Sequence, residues 1–184
     1  GGFYYDLCKH PLNHVKDVQA LDRYAEEFAS MDRPDWYDMP LEQLEQSTRS
    51  IRETNDRALV GCFAGHIFQA GQFLRGWSEF LMDLIGNPAL AEAIMDRLAQ
   101  AHIDAFDRYA ETAYKHVDII EVCDDMGMQN ATWISPDTYR QLVKPYHKRL
   151  YEHIKTRTGA PILLHTDGSV SPLIPDFIEI GVDI

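Results

Sequence analysis

Three short segments of the chain concentrate side chains able to hold a cation, move a proton or orient a polar ligand. His165 and Asp167 stand two residues apart at the end of an apolar run. On an extended backbone such a pair leaves on one face and could bind one metal ion or one substrate together. Asp124 and Asp125 are adjacent, so on a continuing strand they point to opposite sides and only one faces a ligand; neighbouring acids shift each other's pKa, which suits general acid–base work or cation binding. His66 follows Gly65, where backbone can approach a ligand closely. Arg75 could grip a carboxylate bidentately, and Gln129 offers amide donors and acceptors. Each also has a plainer reading. Asp167 could cap a helix starting near Ser169, one of the paired acids could stabilise a turn, and His66 could be a structural donor. Arg75 could cover a surface or pair with an acid such as Glu79, and Gln129 could serve the backbone.

The elements that must position these groups follow from periodicity. Apolar runs of strand length occur at 58–63, 117–123 and 161–164, and each is followed directly by one of the reactive segments. The first run reads as a strand buried on both faces. Between the strands lie helical patterns: Leu41 to about Asn55, Gln69 to Ile85 with a kink or break at Gly76, and a long helix opened by Asn87-Pro88 with Leu90, Ile94, Leu98, Ala105 and Tyr109 on one face. Ser135-Pro136 repeats the cap-then-proline signal ahead of Tyr139, Leu142, Val143, Tyr146, Leu150 and Ile154, and a short helix spans about Pro172 to Ile180. The segment up to about Pro40 reads as loops around a short helix, because its prolines interrupt periodicity.

Strand and helix in alternation describe a parallel α/β sheet with its reactive groups at the carboxyl ends of the strands. The chain has 184 residues, begins without methionine and stops on what reads as a further strand. A closed eight-fold barrel takes about 250 residues, so a partial barrel truncated at both ends is expected, forming one domain over 1–184.

Charge and composition narrow the partners. The 29 acidic and 17 basic side chains give a net charge of −12, which repels nucleic acid and anionic lipid. No apolar stretch reaches membrane-spanning length. Cys8, Cys62 and Cys123 form no C-x-x-C pair, which argues against a disulfide framework or zinc knuckle and for a reducing cytoplasm. No nucleotide-binding glycine loop and no G-x-S-x-G elbow is present.

Taken in order, the blocks DDMGMQNATWISPDTYR (124–140), KPYHKR (144–149), LHTDGSV (164–170) and LIPDFIEIGVDI (173–184), with QFLRGW (72–77) and HPL (10–12) upstream, resemble the uroporphyrinogen decarboxylase superfamily over nearly the whole chain. The resemblance implies a (β/α)8 barrel, of which this chain lacks the first and last strands. Two activities divide the superfamily. Decarboxylases remove acetate carboxyl groups from a tetrapyrrole without a cofactor. Methyltransferase-like members move a methyl group between a corrinoid and a thiol or related acceptor, sometimes with a corrinoid-binding protein as partner, and hold zinc through a His-x-Cys pair and a later Cys.

The D-D-x-G-x-Q block followed by I-S-P looks like the methyltransferase branch. That resemblance implies Asp124, Asp125 and His165 as catalytic residues, His66, Arg75 and Gln129 around the substrate, and His165 and Asp167 as metal ligands. One departure stands out: where many methyltransferase-like relatives have His-Ser-Cys-Gly, this chain has His165-Thr166-Asp167-Gly168. A carboxylate is a harder ligand than a thiolate, which bears on both zinc and a thiol substrate. Uroporphyrinogen decarboxylation is the alternative reading, and a non-catalytic subunit holding a tetrapyrrole or corrinoid is the third.

Overall fold

The computed structural model describes residues 7, 9–30 and 40–184. Part of the opening segment therefore lies outside the described residues. Within the rest of it are a 3-10 turn at Val18–Tyr24, capped by Asp17 accepting from the Ala20 N–H, and a short helix α1 (Ala25–Ser30).

The remaining elements are α2 (Leu41–Thr54), β1 (Val60–Ala64), α3 (Phe68–Arg75), α4 (Trp77–Gly86), α5 (Pro88–Ala110), β2 (Ile119–Cys123), α6 (Pro136–Thr138), α7 (Lys144–Thr158), β3 (Ile162–His165) and α8 (Ile174–Glu179). The three strands form one parallel sheet in the order β1-β2-β3. Beyond β3, Asp183 and Ile184 donate to the Ile162 carbonyl and Ile184 accepts from the Leu164 N–H, so an extended segment begins on the edge away from β2. This is a parallel α/β arrangement laid down in sequence order; the described strands do not close into a barrel.

The helical face of the sheet carries the core. Ile120, Val122 and Ile162 are fully buried and join one cluster with Leu90, Ile94, Leu98 and Phe106 of α5 and Leu150 and Ile154 of α7. Each such side chain contributes about 1.5–3 kcal/mol on leaving water. The other face is half-open: Cys62, Glu121, Cys123 and Leu163 are only partly buried, and Val60 is 48% exposed. The expectation that the first strand is buried on both faces is thus corrected, because no described element covers this side.

Local chemistry explains the helix boundaries. The kink or break expected at Gly76 between Gln69 and Ile85 is a break, because Gly76 adopts φ +101°, a conformation costly for a residue with a Cβ, and turns the chain between α3 and α4. Ser135 Oγ accepts from the Thr138 N–H as expected of a cap. The helix it opens passes through a π-turn at Tyr139–Val143 before α7. Asn87, expected to cap α5 with its side chain, makes no such bond; its Nδ2 lies 3.4 Å from the Lys16 carbonyl oxygen instead. No described helix is long and apolar enough to cross a membrane.

Candidate functional site

The reactive segments gather where the strands end. His165 is the last residue of β3 and sits opposite Cys123, the last of β2. Asp125 follows two residues later on the neighbouring strand, and Asp167 leaves the β3 exit. Ligand-capable atoms of Asp125, His165 and Asp167 all lie within 4.8 Å of one another. His165 Nε2 is 3.7 Å from Asp167 Oδ1, and both side chains are more than half exposed.

Asp125 is held before any ligand arrives. Its Oδ2 accepts from Gln69 Nε2 at 2.6 Å, and its Oδ1 accepts from the Asp167 N–H at 2.9 Å. Each oxygen keeps a lone pair for a further partner, so the acid is oriented and still available. Asp167 does not cap a helix, since the next turn starts only at Ser171; its carboxylate is free to face His165.

The two loops that carry these groups are laced together through the backbone. Gly127 donates to the Asp167 carbonyl oxygen, Ser169 donates to that of Met128, and the Met126 N–H donates to Thr166 Oγ1. Gln129 stands exposed in the first of these loops.

Asp124 occupies a different environment from its neighbour. It is 1% exposed; Oδ2 accepts from the N–H groups of Ile67 (2.8 Å) and Phe68 (2.6 Å) and from His147 Nε2 (2.8 Å), and Oδ1 accepts from the Gln69 N–H (2.7 Å). Burial alone would raise its pKa, but the bond and charge of His147, with the backbone donors, hold the carboxyl below its ordinary range. On the other side His147 Nδ1 is 3.1 Å from the buried Tyr139 hydroxyl, and its ring stacks on Tyr151. Asp124 thus closes the amino end of α3, whose unpaired N–H groups and dipole favour a carboxylate there. The paired acids divide as alternation requires, with only Asp125 at the mouth.

His66 stands at the β1 exit. Its carbonyl oxygen accepts from His102 Nε2 at 2.6 Å, while its own Nδ1 is buried with no partner among the described residues. Burial lowers its pKa, against the pull of Asp124 and Asp125 nearby.

Arg75 is engaged within the chain. Its Nη1 donates to the carbonyl oxygens of Leu12 and Asn13, and Nε donates to Asp83 at 2.6 Å. It is 4% exposed and ties the amino-terminal segment to α3 and α4. Its acid partner is Asp83 rather than Glu79, because the break at Gly76 brings α4 back alongside. Gln69 and His147 were not singled out by sequence reading as site residues. Their partners lie 56 and 23 positions away, and no local spacing signals such pairs.

The sequence matches the profile of the uroporphyrinogen decarboxylase (URO-D) family over residues 12–184. The chain belongs to the uroporphyrinogen decarboxylase family. Among curated protein sequences none matches it. A solved structure of a methyltransferase from Methanosarcina mazei superposes with a TM-score of 0.66 at 22% identity, covering 94% of this chain and 46% of that one. The likeness supports the shared fold. This uroporphyrinogen decarboxylase family chain spans less than half the length of that relative.

Proposed function

We propose that this chain forms part of a (β/α)8 barrel enzyme that transfers a methyl group between a corrinoid and a small-molecule acceptor, with Asp125, His165 and Asp167 as its metal ligands. The observation that supports it is the convergence of one imidazole nitrogen and two carboxylates within 4.8 Å at the strand ends. That donor set fits zinc or a harder divalent cation, since zinc accepts nitrogen and carboxylate oxygen. When bound, such an ion supplies Lewis acidity that lowers the pKa of an acceptor.

The chain's own residues do the rest. Gln69 and the Asp167 N–H fix the Asp125 carboxylate. His66, whose buried Nδ1 has no partner among the described residues, stands at the β1 exit, and Gln129 presents an amide to the incoming substrate. The loop blocks resembling the methyltransferase branch and the fold shared with a methyltransferase support methyl transfer. Free thiols suit a reducing cytoplasm. The second reading, uroporphyrinogen decarboxylation without a cofactor, is favoured by Asp167 standing where a thiolate would serve zinc.

Elemental analysis of anaerobically purified protein and of His165→Ala tests the assignment, followed by methyl transfer from methylcobalamin. About one metal ion per chain, lost in the variant, with methyl transfer by the wild type, is expected. Absence of metal and of methyl transfer, together with decarboxylation of uroporphyrinogen, would establish the second reading instead.

A further inference from the structure

Cys62 and Cys123 lie on adjacent parallel strands, on the half-open face of the sheet. Cys62 is the register partner of Glu121, and Cys123 is two residues further along β2 on the same face as Glu121. The thiols are therefore diagonal neighbours across the strand pair, with the Glu121 side chain between them on the same face. Both cysteines are half-buried. Neither belongs to the Asp125–His165–Asp167 group.

The register decides what such a pair can hold. Strand spacing of about 4.8 Å and a two-residue rise of about 6.6 Å place the two Cα atoms roughly 8 Å apart. An unstrained disulfide needs a Cα separation of about 4.4–6.8 Å, so direct bridging would require the strands to move. A metal ion bonded to each sulfur at about 2.3 Å lengthens the link and spans the diagonal. Thiolates select soft cations, and the neighbouring Glu121 adds negative charge. We infer that Cys62 and Cys123 form a two-thiol site for a soft, thiophilic cation on the half-open face of the sheet, next to the mouth, where Cys123 is the register partner of His165.

The test uses Cd2+ as probe on reduced protein carrying Cys8→Ser, which leaves Cys62 and Cys123 as the only thiols of the three in the sequence. A saturable sulfur-to-cadmium ultraviolet charge-transfer band is expected. It should be lost in Cys62→Ser and in Cys123→Ser, and kept in Asp125→Asn, which removes neither thiol. Protection of both thiols from alkylation by bound Cd2+ is expected as well, and this needs no substitution in the pair. Absence of a saturable band and of protection overturns the site, as does a band unchanged in either single serine variant. A mass showing the loss of two hydrogens, with no cadmium band, overturns it in favour of a disulfide.

Discussion

Gly127 and Gly168 meet backbone to backbone across two loops. A Cβ on Gly168 would lie 2.4 Å from the Gly127 carbonyl carbon, and one on Gly127 would lie 2.6 Å from the Asp167 carbonyl oxygen. Only glycine permits this approach, and Gly168 also has φ +85°. The contact sets the distance between the loop carrying Asp125 and the loop carrying His165 and Asp167. Gly168→Ala is expected to cost about 1–3 kcal/mol through overlap and strain, and to weaken metal binding beyond that loss. Denaturant unfolding and metal titration of the folded variant check both; unchanged metal affinity would show that the glycine contact does not position the site.

Gln69 orients Asp125 without being a ligand itself. Gln69→Ala should lower metal affinity by about 10–100-fold, the usual effect of removing a partner that orients a ligand. Competition with a chelator reads the change, and a circular dichroism spectrum like that of the wild type separates it from unfolding.

Asp124 should behave as a structural acid. Asp124→Ala leaves three N–H groups and His147 without their acceptor, and a loss of about 3–5 kcal/mol is expected. The folded carboxyl is held below its ordinary 3.8, so its contribution is present above that value and lost as pH falls through the lower folded pKa. Urea denaturation across the acid range should show a steeper loss for the wild type than for Asp124→Asn.

His66 gives a second, separable pH dependence. Its folded pKa lies below the ordinary 6.5, so the unfolded chain takes up more protons as pH falls beneath 6.5. Stability is full above that value and falls below it, by at most about 1.4 kcal/mol per pH unit for this one group. His66→Gln should flatten that part of the profile. A wild-type slope retained in the variant would assign it to another group.

Arg75 separates anchoring from substrate recognition. Arg75→Met strands a largely covered acid and two carbonyl oxygens, and should destabilise the chain by about 2–4 kcal/mol. Amide exchange should rise first around residues 10–16, while KM of the folded enzyme stays near the wild-type value. A large KM increase with unchanged exchange would return Arg75 to the substrate.

What the sequence by itself determined is the alternation of three strands with helices, the break at Gly76, the Ser135 cap and the clustering of reactive groups at strand exits. These follow from period, glycine freedom and capping, which act within a few residues. It also determined that adjacent Asp124 and Asp125 must part company. Only the tertiary structure decided which of them faces the mouth, because that depends on Ile67, Phe68 and Gln69 presenting N–H groups from another element. The same holds for Arg75, whose partners are Leu12, Asn13 and Asp83, and for Asp125 joining His165 and Asp167 across a glycine contact. Such pairings are set by strand register and chain crossing, and no local pattern encodes a distance between residues forty positions apart.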